Sequence, residues 1–295
     1  MNTFVTEIGK KLAERWVALL VLPGLLFTAT ATVAALLGHR HWADLPLLGQ
    51  RVGQLVPVDA GASAGLPRTV VLLVVLLVVS VSTALLANAL ATPVEHALAG
   101  RWPPPLRGLA RACTRRRRAA WTRANEEWER ASNAGERDRL AELAARRNRI
   151  ALIEPINATW VGDRLDAPTV RVHQEYGVDL TFLWPRLWLL LPESSRTPLA
   201  DARQQLDDAA RLGGWALLYL ALGAVWWPSA IIGLVAGLVG RQRYRSAADV
   251  YAGLVEAAVD VHLEELVSRF TDGQGVRPTR PHWGRQITER FRKGM

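Results

Sequence analysis

The chain is patterned in long blocks. Three charge-free apolar runs, 16–37, 69–91 and 212–240, are separated by stretches where arginine, acidic residues and helix formers alternate. A hydrocarbon core about 30 Å thick is crossed by about 20 helical residues. The first two runs, 22 and 23 residues long, therefore each predict one transmembrane helix. The third has 29 residues with Pro228 near its middle. It reads either as one long tilted span or as a hairpin turning at Trp226-Trp227-Pro228-Ser229, with a re-entrant hairpin as a variant of the second. The first run has a rival reading as a cleaved signal peptide, because Lys10, Lys11 and Arg15 precede it; its unbroken length favours a retained span.

Between the runs the periodicity is helical. Residues 106–149 predict an αα-hairpin with its turn at Ser132-Asn133-Ala134-Gly135. Glu126 and Arg130, Arg123 and Glu127, and Glu142 and Arg146 stand at i,i+4 spacing, and Trp121 and Trp128 share a face. Asp166 is expected to cap a helix that opens at Ala167-Pro168 and stops at Tyr176, where Gly177 supplies a left-handed stop. Asp179 is expected to cap the next helix, 180–191, kinked at Pro185. Thr197-Pro198 should open a helix that runs into the third apolar run. Val255, Val259, Leu263, Leu266 and Phe270 form an apolar stripe on a further helix, and 272–295 reads as a loose basic tail. The fold class is therefore all-α: a polytopic helical membrane protein with four membrane segments (two spans plus a C-terminal hairpin) and a cytoplasmic helical domain.

Charge supplies the orientation. The chain carries 36 basic and 27 acidic residues, net +9. Segment 1–15 has 3 basic residues, 38–68 has 3 over twice the length, 92–211 has 20 and 241–295 has 10. The positive-inside rule places 1–15 and 92–211 in the cytoplasm and the loop 38–68 outside. A hairpin at 212–240 keeps Arg241, Arg243 and Arg245 inside, so both termini are expected in the cytoplasm of a protein of the cell membrane. The single cysteine, Cys113, excludes an intrachain disulfide. The bias of basic residues toward arginine, with abundant Ala, Leu and Val, points to a bacterial source.

Candidate contact residues fall into three groups. Arg115, Arg116, Arg117 and Arg118 form a basic run suited to anionic lipid headgroups; nucleic acid is disfavoured because no recognition motif or aromatic platform accompanies the run. Ser80, Ala84 and Asn88, and Gly233 and Gly237, are small or polar positions at spacing four, as at helix-packing faces. Trp184 and Trp188 flank Arg186 in a short apolar helix; its readings are the membrane interface, packing against protein, and a ligand groove. The six histidines show no ligand spacing, and neither a phosphate-binding glycine loop nor a nucleophile elbow is present. No catalytic residue, metal or cofactor is assigned.

The strings Gly162-Asp163-Arg164-Leu165-Asp166-Ala167, Tyr176-Gly177-Val178-Asp179 and Trp184-Pro185-Arg186-Leu187-Trp188-Leu189-Leu190-Leu191-Pro192 are unusual together. Over about 160–270 the chain resembles a widespread family of uncharacterised bacterial integral membrane proteins, which shares the tyrosine-glycine-x-aspartate and tryptophan-proline-arginine-leucine-tryptophan elements. The resemblance implies an α-helical membrane protein and transfers no catalytic residue. Tyr176, Asp179, Trp184, Arg186 and Trp188 thereby become candidates for interface or partner contact. The function expected is a non-enzymatic membrane anchor, assembly factor or regulator with a protein partner or a second copy of itself. The alternatives are an oligomeric pore-forming effector that uses the small-residue faces, and an interfacial lipid-acting enzyme.

Overall fold

The computed structural model describes residues 21–55 and 65–269, with Thr288, Glu289 and Arg292 beyond them. The expectations for 1–20 and for most of the basic tail, including Phe270, lie outside the described residues. Among the described residues the fold is all-helical: α1 (Leu22–Leu37), α2 (Leu45–Leu55), α3 (Gly65–Leu98), α4 (Arg107–Asn133), α5 (Arg137–Ile150), α6 (Trp160–Tyr176), α7 (Leu180–Leu190), α8 (Glu193–Leu222) and α9 (Trp227–Ser268). A 3-10 turn, Pro104–Leu106, precedes α4. The contacts separate into one unit of residues 1–94 and 209–241 and another of 95–208 and 242–295.

The first unit combines α1, α2, most of α3 and the arms of α8 and α9 that meet at a turn. α8 ends at Leu222 and α9 starts at Trp227, with Pro228 in its first turn, so 212–240 is a helix–turn–helix rather than one continuous helix. The turn falls at 223–226, just before the expected Trp-Trp-Pro-Ser corner. The extra helix α2 lies in the stretch read as a loop. Its signal was Asp44-Leu45-Pro46: the Asp44 carboxylate accepts from the Leu47 amide at 3.0 Å, and proline suits a first turn.

Close approach of small residues organises this unit. Ser80, Ala84, Ala87, Ala216 and Ser229 are buried. A Cβ on Gly24 would overlap the Ser80 carbonyl, and one on Gly214 would overlap the Ala87 carbonyl. A Cβ on Gly233 would stand 2.7 Å from the Leu220 amide nitrogen and 2.8 Å from the Ala216 oxygen. The Thr28 and Ser80 hydroxyls are 3.3 Å apart, and Phe27 meets Tyr219 edge-on at 5.1 Å. The large apolar side chains point outward. Every residue from Val70 to Val79 is exposed, by 39–60%. Among the described residues one helix, over Val70–Leu98, is long and apolar enough to cross a membrane.

The second unit has an apolar core on α6, α7, the start of α8 and the end of α9: Val172, Leu183, Leu187, Leu191, Leu199, Val259, Leu263 and Leu266. Val255, Val259, Leu263 and Leu266 are buried as their spacing required. Gly177 stops α6 at φ 69° and Asp179 caps α7 through the Thr181 amide, as expected. The start of α6 differs. Thr159, not Asp166, is the cap; its hydroxyl accepts from the Gly162 amide at 3.1 Å, and Pro168 sits inside the helix. α8 likewise opens at Glu193 with Pro198 inside. The α4–α5 hairpin turns at Gly135, φ 74°. Its ion pair runs across the hairpin, from Arg146 to Glu127 at 3.0 Å, instead of along one helix to Glu142. Arg147 lies over both Trp121 and Trp128, at 6.0 and 5.1 Å.

The packing separates two neighbouring glycines. Gly233→Ala should destabilise the detergent-solubilised protein by about 1–3 kcal/mol, because backbone atoms occupy the space. Gly237→Ala meets only the Ala216 Cβ at an ordinary 3.6 Å and should be neutral or gain up to about 1 kcal/mol of helix propensity. Equal thermal-unfolding midpoints for the two variants would contradict this packing.

Candidate functional site: an aromatic groove and a buried ion-pair hub

Helix α6 carries the polar centre of the second unit. Asp163, 2% exposed, accepts at Oδ1 from the amides of Ile156 (2.9 Å) and Asn157 (2.7 Å) and at Oδ2 from Arg117 (2.5 Å). Arg117 also donates to the carbonyls of Asn157 and Ile150. The next residue, Arg164, 7% exposed, turns to α9 and donates to Asp249 (2.6 Å) and Glu256 (2.8 Å). Two turns further on, Arg171 reaches Asp260, Glu175 and Glu256. Asp166 accepts from the Asn157 side-chain amide. A Cβ on Gly162 would overlap the Ala99 carbonyl. The string from Gly162 to Asp166 thus packs α6 against α4, α9 and the end of α3.

The candidate contact residues are dispersed around this hub. Tyr176 donates to Asp260 at 3.1 Å; burial first, then the Asp260 hydrogen bond, pushes its hydroxyl up to about 12. Asp179 caps α7, and its amide donates to the Thr288 hydroxyl at 3.1 Å. Arg292 lies over Phe182 at 5.6 Å, so these tail residues meet α7. Arg186 folds back along its own helix to the Phe182 carbonyl. Ser80, Ala84 and Gly233 are buried inside the chain and Asn88 and Gly237 are half-buried, so the faces proposed for self-association already pack internally. Of the four consecutive arginines, Arg117 is an internal ligand of Asp163 and Arg118 pairs with Glu154 at 2.9 Å. Arg115 and Arg116 are exposed.

Trp184 and Trp188 do converge. Their rings, 6.1 Å apart and tilted by 44°, line a groove of about 730 Å³ together with Leu199, Tyr251, Arg203 and Asp207. A smaller groove of about 330 Å³ shares the Trp184–Pro185–Tyr251 wall. The large groove is lined mostly by apolar and aromatic side chains, with Arg203, Gln204 and Asp207 as its polar members. Arg203 donates to Glu95 at 2.9 Å and stands 3.0 Å from Asp207. Gln204 donates to Asp208. A volume in this range and a few converging polar groups are the usual character of a binding site. Sequence reading found the two tryptophans and missed Leu199, Arg203, Asp207 and Tyr251, which come from α8 and α9 and carry no local signature. Among the described residues no group of three His, Cys, Asp or Glu side chains converges as a metal site.

The hub and the exposed arginines separate by substitution. Asp163→Asn leaves Arg117 without its counter-charge in a largely buried site and should cost about 3 kcal/mol or more in unfolding free energy. Arg115→Gln and Arg116→Gln should each stay within about 0.5 kcal/mol of the parent. Denaturant unfolding followed by tryptophan fluorescence reads both; a neutral Asp163→Asn would show that the Asp163–Arg117 pair does not hold the unit together.

No protein-family model matches this chain, and neither does any curated protein sequence or solved structure.

Proposed function

We propose that this is a multi-pass membrane protein of the cell membrane that acts without catalysis, as an anchor, assembly factor or regulator whose second unit holds a protein partner. Its four membrane segments would be 16–37, 69–91 and the two arms of 212–240, with both termini cytoplasmic. Three features support the membrane reading. The first unit places Gly, Ala and Ser inside and Val, Leu and Ile outside, which suits helices packing in lipid. The helix–turn–helix form of 212–240 gives it two arms, which would keep Arg241, Arg243 and Arg245 on the side that the positive-inside rule assigns to 92–211. The tryptophan-proline-arginine-leucine-tryptophan resemblance agrees with the same class.

The groove on Trp184 and Trp188 carries the functional reading. Its long aromatic wall favours apolar side chains. Among its polar groups the single Arg203 guanidinium is shared by two carboxylates, Asp207 in the lining and Glu95 behind it. An amphipathic partner segment with apolar residues on one face and a basic residue beside them fits that combination. The charged residues of the neighbouring strings support a structural role for α6, since Asp163, Arg164 and Arg171 are all engaged in bonds between helices.

Two experiments address this reading. The tagged full-length protein, crosslinked in native membranes and extracted in mild detergent, should recover a stoichiometric partner. Trp184→Ala with Trp188→Ala should lower that recovery at least about tenfold, as expected for loss of two aromatic hot spots. Unchanged recovery by the double variant, or recovery of only the chain itself as a defined oligomer, would defeat the groove assignment. Separately, a reporter that is active only in the cytoplasm, fused after Met295, should be active. Activity of an export-dependent reporter at the same position would overturn the four-segment topology.

A further inference from the structure

From the end of α3 through the α4–α5 hairpin the charge is unevenly distributed. Residues 96–125 contain eight arginines and no acidic residue, whereas 126–149 contain six of each. The distal half therefore neutralises itself, as the Arg146–Glu127 and Arg139–Glu136 pairs show. In the proximal half the structure accounts for three of the eight. Arg117 binds Asp163, Arg118 binds Glu154, and Arg101 stands 3.9 Å from Asp166. Arg107, Arg111, Arg115, Arg116 and Arg123 are all exposed and have no carboxylate partner among the described residues.

These side chains share a face. At about 100° per residue, positions 111, 115, 116 and 123 fall within about 140° of arc, opposite the stripe 110, 113, 117, 121 and 124 that packs inward. Leu109, 55% exposed, borders the same face, and Leu106, 46% exposed, stands at the turn just before the helix. The arrangement works against the helix itself. The first turn of α4 has no acidic residue, and cations close to a helix N-terminus oppose its dipole. Like charges four apart, as at 107, 111 and 115, also repel. A bound anionic surface would relieve both penalties.

We propose that the proximal half of α4, the face of Leu106, Leu109, Arg111, Arg115, Arg116 and Arg123, docks on an anionic lipid surface. Arginines set beside exposed leucines suit a bilayer interface, where headgroup phosphates take the charge and the acyl boundary takes the apolar side chains. A nucleic-acid backbone would leave the leucines in water. The chain also brings this face within reach of lipid. The membrane-capable helix ends at Leu98, and the eight residues from there to Leu106 span at most about 28 Å. The assignment differs from a four-arginine motif, since Arg117 and Arg118 belong to the fold. It rests on the membrane reading of the chain.

The test uses the full-length protein with Cys113→Ser and Ala112→Cys, labelled with an environment-sensitive fluorophore at position 112, which is exposed on this face. The chain is reconstituted into nanodiscs of zwitterionic lipid alone or with an anionic lipid added. A blue shift confined to the anionic discs is expected, lost in about 1 M salt, where screening shortens to about 3 Å. It should also be lost on combining Arg111→Gln, Arg115→Gln and Arg116→Gln, and kept when the same three become lysine. Unchanged thermal unfolding of the glutamine variant shows that the loss is not misfolding. An equal shift in both discs, or no shift in either, overturns the surface while leaving the membrane reading intact. A chain that does not enter nanodiscs overturns both. A shift produced only by added oligonucleotide overturns the lipid assignment in favour of nucleic acid.

Discussion

Two adjacent side chains of opposite charge, Asp163 and Arg164, do not pair with each other, and the second unit depends on that. On a helix, neighbouring residues point about 100° apart, so each charge faces a different element. Asp163 takes two backbone amides from 156–157 and the guanidinium of Arg117 on α4; Arg164 takes two carboxylates on α9. Buried ions are costly to desolvate, and removing one partner of such a pair costs about 3–5 kcal/mol. The geometry therefore penalises any arrangement in which α4 or α9 is displaced from α6. Apolar packing supplies cohesion to the core around Leu183 and Leu187, but it is non-directional. The two charges tie α6 to α4 and α9 at defined levels, while Gly162 sets its close approach to the end of α3.

The first unit obeys a different constraint. There the interior residues are small and the polar contacts are few, so backbones approach until a Cβ on Gly24, Gly214 or Gly233 would collide with a neighbouring main chain. Dispersion at that distance and the fit of helix on helix replace the segregation of large side chains into a core. The two units thus solve opposite problems with the same secondary structure. One hides Leu and Val behind a shell of ion pairs. The other hides Gly, Ala and Ser behind Leu and Val.

Much of the local structure was legible because its causes are local. The Gly177 stop, the Asp179 cap, the hairpin turn at Gly135 and the apolar stripe from Val255 to Leu266 each follow from a few neighbouring residues. The errors have physical reasons too. Proline suits a first helical turn, so Pro168 and Pro198 were read as helix starts; Thr159 and Glu193 begin those helices earlier, and the prolines are carried inside. Arg117 looked like one of four equivalent surface charges, because nothing within the run indicates that Asp163, 46 residues away, will face it. The groove was half-visible for the same reason. Trp184 and Trp188 stand in a short conspicuous string, whereas Leu199, Arg203 and Tyr251 reach them only through the packing of three helices.

The basic character of the chain takes on meaning only after these structural charges are set aside. Net charge counts Arg117, Arg164 and Arg171 equally with Arg115, yet the first three are held by carboxylates inside the fold and add little to the field outside it. What remains is local: the exposed arginines on the proximal face of α4, since Asp207 at the Trp184–Trp188 groove is itself paired with Arg203. A uniformly basic surface would attract any polyanion along its whole length. A basic helix face next to exposed leucines instead favours an acidic surface that also takes up apolar side chains, as a bilayer interface does.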